Sequence, residues 1–488
     1  LGTPQTELDA DEAIVALMGR HILEGERPVF YYMQPYLGSL EAYLTAFSFL
    51  LFGSSTAALK LVPLVCGLGF TALVFGTGYR IGGLGVAVAS GLYVAVPPAF
   101  LALWSLKARG GYIETLAIGQ LLLLLALHLA KKGSIGAGEG ALLGFLAGLG
   151  VWTNPLVCVY LVPVGMYLVL ALRARLLGWW VVDAVAAAVA GAFPLLEYNL
   201  ANGFATAEAM LGGTPGALEA LERFFRYSVP VLAGLAQASS SQEFFWPAFS
   251  SSLAGRWPQA VLLLGCLLVL LAVSRLGGLA ALVAGRPHGT DGRNLLALLL
   301  VVVPATFVLS KFRDLVTEPR YLLPIYSAAP LIAAAVVPRR PTLRTLAPLA
   351  VAPLLALNLY SIATLDPKLN LPDTAVGSVA SNRAVLIDHL LSRGIDRVYT
   401  DYWLAYPLAF ESAERIVPSV ISGGFNRYIP YAHEVLISPD PAFVFIAGSK
   451  EERDFLSGLA ERGAKARLDA VSIYSVYWDV TPLDPFRP

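Results

Sequence analysis

Charge is what this sequence has least of. Lys, Arg, Asp and Glu make up 14% of its 488 residues, while 57% are hydrophobic. Soluble globular chains carry about a quarter charged residues, so the composition excludes a water-soluble domain as the whole answer. The mean hydropathy of +0.66 agrees. Neither sign dominates, with 34 basic and 34 acidic residues, and without a basic footprint no nucleic-acid partner is expected. Cysteine is sparse too: Cys66, Cys158 and Cys266 stand far apart in apolar runs. They form neither a disulfide framework nor a metal-ligand spacing, and read as small core residues silent on redox compartment. His21, His128 and His389 are isolated, and His433–Glu434 lacks zinc-type spacing. An initiator methionine and an opening apolar run are also missing. We therefore expect a signal sequence or a first membrane helix that was cleaved or lies outside this sequence.

Long apolar runs are what the sequence has in plenty. A hydrocarbon core about 30 Å thick needs roughly twenty apolar residues per helix. Spans are expected at 57–79, 82–103, 112–130, 140–152, 156–172, 178–195, 258–274, 295–310, 321–337 and 344–361. The fourth and fifth are parted only by "WTNP" and could be a broken or re-entrant pair. Alternate connections carry Arg80, Lys131 and Lys132, Arg173 and Arg175, then Arg275, Arg286 and Arg293, then Arg339, Arg340 and Arg344. Basic loops stay cytoplasmic. That puts residues 1–56, 104–111, 196–257, 311–320 and everything after about 362 on the outer side.

Residues 366–488 change character. "DRVYT", "RIVPSV", "AFVFIAG" and "SIYSVYWDV" read as strands, and "NRAVLIDHLLSRG" and "KEERDFLSGLAERG" as amphipathic helices closing at Gly. The alternation predicts a small α/β domain with a partly parallel sheet. It has no Gly-rich phosphate loop, and reads as a recognition or structural module. The expected organisation is a helical membrane domain over 1–365 and an extracytoplasmic α/β domain over 366–488.

The charge that does occur is concentrated early, in "TELDADEAIVALMG". From Ala10 the apolar positions Ile14, Leu17, Met18 and Ile22 follow a helical period, too short to span, and predict a helix in the membrane interface. Asp9 suits its N-cap and Glu12, three residues on, a capping-box partner. Capping leaves Asp11 unexplained.

The segments that follow carry a resemblance. "DE" opening this helix, then "YYMQPYLGSLEAYLTAFSFLLFG" and "ALKLVPLVCGL", is similar to the first external loop of polyprenyl-phosphate-sugar-dependent glycosyltransferases of the GT-C type. These include protein O-mannosyltransferases and lipid A aminoarabinose transferases. "SLKARGGYIETLAIGQLLLLLAL" resembles the family's short active-site loop and helix, and "KFRDLVTEPRYLLPIYSAAPLIA" its late segment near the lipid phosphate. The matches, in order, cover roughly residues 5–360. The chain departs where the aminoarabinose transferases carry Lys-Pro-Pro and it has Gln34-Pro35-Tyr36.

The resemblance implies displacement at a sugar's anomeric carbon with inversion, a polyprenyl phosphate leaving. A carboxylate must accept the acceptor hydroxyl's proton, and the family's catalytic Asp falls on Asp11, with Glu12 beside it. The leaving phosphate needs cations near the outer membrane face. Lys107, Arg109, Lys311, Arg313 and Arg320 are candidates, with Tyr321 as a hydroxyl donor and Arg320 favoured by its "PRY" context. Snorkelling to headgroups is the plainer account of several of them. Glu41 and Glu114, at the outer ends of apolar runs, either sit shallow and hydrated or converge on Asp11 to bind sugar hydroxyls. Tyr36 and Tyr112 in the matched loops join them as substrate contacts. Two of the carboxylates could hold a divalent cation, but no ligand spacing supports one and no cofactor is expected.

"AQASSSQEFFWPAFSSS" could be an acceptor-binding lid or simply disordered, and Tyr402 and Trp403 in "TDYWLAYP" could stack on a sugar or pack within the α/β domain. The expected protein is thus a glycosyltransferase of the bacterial inner membrane, acting on the periplasmic side. It would move a sugar from undecaprenyl phosphate to a lipid, glycan or protein. Two alternatives stand beside it. One is a non-catalytic GT-C-like subunit that joins a larger membrane complex through its periplasmic domain. The other is a lipid-linked glycan transporter or polymerase, disfavoured by the lack of midplane charge and internal repeats.

Overall fold

A computed structural model describes residues 7–176, 178–210, 216–238, 244–245, 284, 291–316, 318–336, 341–365, 379–422 and 425–483. The chain divides into two compact units: Leu1–Gln34 with Ala42–Leu59 and Asn370–Pro488, and Pro35–Glu41 with Lys60–Leu369. In this division the acidic N-terminal segment clusters with the C-terminal domain.

The first helix, α1 (Ala10–Glu24), starts where the sequence places it. The Asp9 side chain accepts from the Glu12 amide at 3.0 Å, and Gly25 closes the helix with φ +115°, donating to the carbonyls of His21 and Ile22. An interfacial helix with one apolar face was the expectation. Instead Ala10 and Glu12 through Gly19 are all buried. Ala13, Ala16 and Gly19 give the helix a second face of small residues, so protein approaches there too: a Cβ on Gly19 would meet Thr45 at 2.8 Å.

The apolar part consists of α2 (Leu40–Phe52), α3 (Thr56–Gly82), α4 (Leu84–Ala95), α5 (Tyr112–Lys132), α6 (Ala137–Thr153), α7 (Cys158–Leu172), α8 (Trp180–Gly191), α9 (Gly292–Leu309) and α10 (Pro341–Ala363). Thr56–Gly82, Tyr112–Lys132, Pro155–Leu172 and Gly292–Leu309 are long and apolar enough to cross a membrane. Trp180–Gly191 and Phe193–Ala201, bent by 67°, make a fifth if the pair is one span. Elsewhere proline subdivides the expected spans. The run 82–103 stops at Ala95 and resumes as Ala99–Trp104 beyond Pro97 and Pro98. The run 321–337 opens as a 3-10 segment, Arg320–Ser327, with Pro324 inside it. Within "WTNP", Asn154 ends α6 and its side chain accepts from the Leu156 amide at 3.0 Å. The expected span 258–274 lies outside the described residues.

One packing device escaped the sequence reading. Gly140, Gly144 and Gly148 repeat every four residues along α6, and α8 lies directly against them. A Cβ on Gly144 would stand 1.9 Å from the Ala184 carbonyl oxygen, and one on Gly148 2.1 Å from that of Ala188. Small residues spaced this way let helix backbones touch where no hydrophobic effect drives association.

The C-terminal domain comprises α11 (Val379–Ser392), β1 (Arg397–Asp401), α12 (Tyr402–Glu411), β2 (Val417–Ser422), α13 (Ile429–Ile437), β3 (Ala442–Ile446), α14 (Lys450–Arg462), β4 (Lys465–Val471) and β5 (Tyr474–Thr481). The sheet order is β2-β1-β3-β5-β4; β1 runs parallel to β2 and β3, and β5 antiparallel to β3 and β4. Four strands lie where apolar runs predicted them. β4 was missed because five of its first six residues are polar or exposed, leaving no alternation to read. Within the same unit α1 packs on α12, which is buried along most of its length.

Candidate active site

Asp11 stands in the first turn of α1, one residue from the capping bond that fixes where the helix begins. Its Oδ1 accepts a hydrogen bond from the Tyr402 hydroxyl at 2.6 Å. Its main-chain carbonyl accepts from the Tyr31 hydroxyl at 3.1 Å. Behind Tyr402 lies Arg427, whose Nε donates to the same phenolic oxygen at 3.2 Å. Its guanidinium sits 4.2 Å from the ring centre of Phe425, 5.6 Å from Tyr31 and 5.8 Å from Tyr402. Arg427 is 9% exposed and Tyr402 7%.

Gln34 completes this group: with its amide turned so that the oxygen faces Arg427, it accepts from both terminal guanidinium nitrogens at 2.8 and 2.9 Å. A lysine at position 34 would set a second cation against that guanidinium. Burial, and after it the charge of Asp11, pushes the hydroxyls of Tyr31 and Tyr402 well above the ordinary phenol range, so both remain donors.

α1 also carries an ion-pair cluster. His21 contacts the Tyr32 hydroxyl at 2.9 Å and Glu414 Oε2 at 3.0 Å, and Arg20 donates to Glu414 Oε1 at 2.9 Å. Tyr431 donates to Glu414 as well, at 2.6 Å. Burial alone would raise the Glu414 carboxyl, but hydrogen bonds from His21, Tyr431 and Arg20 outweigh it and lower it to about 2. The isolated His21 of the sequence is thus a structural hydrogen-bond partner.

The other named residues belong to the unit of 35–41 and 60–369. Glu41, at the start of α2, accepts through Oε2 from the amides of Gly110 and Gly111 at 2.7 and 2.9 Å. Those glycines have φ of +93° and +76°, and a Cβ on Gly111 would meet Thr153 at 2.9 Å. Only glycine suits both the backbone and the space, so Glu41 fixes the loop that bears Lys107 and Arg109.

From that loop an unbroken series of cation and ring contacts runs onward. Arg109 lies 5.6 Å from the Trp104 ring and 3.7 Å from Glu318. Trp104 meets Tyr112 edge-on at 4.8 Å, and Tyr112 meets Tyr321 at 6.1 Å. Arg320 stands 6.0 and 5.7 Å from the rings of Tyr112 and Tyr321. Tyr321 stacks on Phe312, over which Lys311 lies at 5.3 Å. Tyr36 belongs to the same unit.

Of the sequence candidates, then, Arg109, Tyr112, Lys311, Arg320 and Tyr321 share one cluster. Lys107 and Arg313 are buried, at 2% and 7% exposure. Glu114 is buried at the head of α5 beside the Cys66 thiol. Glu12 is fully buried. No group of three His, Cys, Asp or Glu side chains is placed to hold a metal ion among the described residues. The Ser-rich segment beginning at Ala236 lies mostly outside those residues.

The sequence reading missed Tyr31, Tyr402 as a partner of Asp11, and Arg427. Tyr31 was legible as part of the matched "YYMQPY" segment. Arg427 carries no motif, and only the tertiary fold brings it to Asp11.

No protein-family model matches the chain, and no curated protein does. Solved structures do. The crystal structure of ArnT from Cupriavidus metallidurans bound to undecaprenyl phosphate superposes with a TM-score of 0.59 at 13% identity, covering 97% of this chain and 94% of that one. The same protein in its apo state gives 0.57 at 12% identity, over 97% and 93%. A weaker likeness reaches the archaeal oligosaccharyltransferase AglB from Archaeoglobus fulgidus, with a TM-score of 0.45 at 12% identity over 97% of this chain and 70% of that one. The two ArnT structures identify the architecture: mostly helical, with several apolar helices and a small C-terminal sheet domain, this chain has a GT-C-type fold.

Proposed function

We propose that the chain is a membrane glycosyltransferase that moves a sugar from a polyprenyl phosphate to a hydroxyl-bearing lipid, glycan or protein. The observation that carries this reading is the fold likeness, over almost the whole chain, to an ArnT structure bound to undecaprenyl phosphate. Two features of the chain itself support it: a carboxylate held by a buried tyrosine, and a cluster of cations interleaved with aromatic rings. The donor is taken to be undecaprenyl-linked, and the setting the bacterial inner membrane with the C-terminal domain periplasmic.

The proposed step is a single displacement. The acceptor oxygen forms a bond to the anomeric carbon as the bond from that carbon to the phosphate oxygen breaks, inverting the centre. The acceptor's proton passes to the Asp11 carboxylate. The electron pair of the broken bond leaves on the polyprenyl phosphate, whose growing charge is met by Arg320, with Arg109 and Lys311 beside it. Guanidinium groups suit this role because their planar fork matches phosphate oxygens. The aromatic rings around Arg320 hold its plane and offer hydroxyls to the sugar. Glu41 acts at one remove, through the Gly110–Gly111 loop.

The test is transfer by the purified full-length protein in lipid nanodiscs. It would be offered a panel of radiolabelled undecaprenyl-phosphate-linked hexoses and pentoses together with a bacterial lipid extract. Label moving from the donor into a new product supports the reading. No transfer and no donor hydrolysis across the panel would return the chain to the non-catalytic subunit alternative.

A further inference from the structure

We propose that Tyr402 and Arg427, supplied by the C-terminal domain, are positioning residues for Asp11: they tie down one carboxylate oxygen so that the other takes the acceptor's proton. The proposal rests on the reading of Asp11 as the base. It concerns residues that no matched motif contains.

Three observations carry it. First, Tyr402 occupies Oδ1 at 2.6 Å, while Oδ2 accepts no hydrogen bond among the described residues. One oxygen is therefore held and the other left to react. Second, the phenolic oxygen that donates to Asp11 itself accepts from Arg427 Nε at 3.2 Å. A hydroxyl that accepts from a cation donates more strongly, so the series Arg427–Tyr402–Asp11 is cooperative. Third, the series is anchored on every side. Tyr31 holds the Asp11 main chain, Gln34 accepts from the far end of Arg427, and Asp401 caps α12 by accepting from the amides of Trp403 and Leu404 at 2.8 and 3.2 Å. A base whose carboxylate turns freely spends most of its time in unproductive rotamers, and fixing it favours the transition state.

Tyr402 stays a phenol throughout. Burial and the neighbouring Asp11 charge both oppose its ionisation, so the proton passed to Asp11 goes no further. The arrangement follows the logic of an oriented base in a catalytic triad, with a tyrosine doing the orienting. It also makes the C-terminal domain part of the reaction centre, because Asp11 and its supports come from opposite ends of the chain.

The experiment uses full-length protein in nanodiscs and, as probe, whichever radiolabelled undecaprenyl-phosphate-linked sugar the wild type transfers. Tyr402→Phe should lower kcat roughly tenfold to hundredfold and leave the KM for that donor unchanged, because a bond to a charged group is lost at the reacting centre. In an Asp11→Asn background the same substitution should cost nothing further. Arg427→Lys should fall between the wild type and Arg427→Met. Should Tyr402→Phe fail to fold, Arg427→Met carries the same kcat prediction with the phenol still in place. Wild-type kcat in Tyr402→Phe, an equal loss in both backgrounds, or kcat and KM worsening together would overturn the proposal. Failure of the underlying reading looks different: Asp11→Asn would transfer at the wild-type rate. A wild type that transfers nothing from any probe removes the premise and the proposal with it.

Discussion

Tyr402 and Asp11 lie 391 residues apart in the sequence and 2.6 Å apart in the structure. This contact ties the acidic helix start to the C-terminal domain, with which the N-terminal segment clusters. The same unit holds Glu414 against Arg20 and His21, so two separate polar groups of α1 are bound by residues beyond 400.

Glu414 gives a prediction in pH. Its carboxyl falls from an ordinary 4.5 to about 2 in the folded chain. A depressed folded value means the stability is fully present above pH 4.5 and is lost as pH falls through about 2. The contribution is on the order of 1–3 kcal/mol. In thermal melts, the wild type should lose stability relative to Glu414→Gln between pH 4.5 and 2, and the two should differ most above that window.

Glu41 should matter for the loop it holds. Glu41→Ala leaves the Gly110 and Gly111 amides without their carboxylate, a loss of about 1–3 kcal/mol for buried bonds to a charged group. Stabilisation by added undecaprenyl phosphate, read as a shift in melting temperature, should shrink in this variant as Arg109 loses its setting. Glu41→Gln, which keeps an acceptor, should recover part of it.

Arg320 separates charge from shape. Arg320→Ala should cut kcat/KM for the lipid-linked donor by about a hundredfold, the scale of one lost charge-stabilising donor. Arg320→Lys should restore only part, since an ammonium keeps the charge but neither forks onto phosphate nor stacks between Tyr112 and Tyr321. Equal activity of the lysine variant and the wild type would assign Arg320 to headgroup contact instead.

Gly144 tests the fold. With a Cβ there reaching 1.9 Å from the Ala184 carbonyl, Gly144→Val should force α6 and α8 apart and cost at least about 1–3 kcal/mol. A lowered melting temperature in nanodiscs would report it. Gly138→Val on the same helix, where a Cβ meets nothing within 4 Å, is the control.

How much of this was legible in the sequence follows from the range of each interaction. The α1 cap and four of five strands are set by neighbours within a few residues, and their patterns are readable. Motif order along the chain led to the GT-C-type fold. What could not be read depends on distant partners. The single apolar face expected of α1 gives way to burial on all sides, because α12, far along the chain, packs on it. Two of the expected ten spans, 82–103 and 321–337, were subdivided where Pro97, Pro98 and Pro324 interrupt runs of unbroken hydropathy. Arg427 was invisible because nothing local distinguishes a buried positioning arginine from a surface one.

The most direct test of the central claim is a single-turnover measurement on Asp11→Asn at saturating undecaprenyl-phosphate-linked sugar. Asparagine keeps the size and the hydrogen-bonding oxygen but cannot take a proton at neutral pH. Transfer should fall by about 10²–10⁴, while melting temperature and stabilisation by undecaprenyl phosphate stay at wild-type values. Transfer at the wild-type rate would contradict the account, because the carboxylate that Tyr402 holds would then have no part in the reaction.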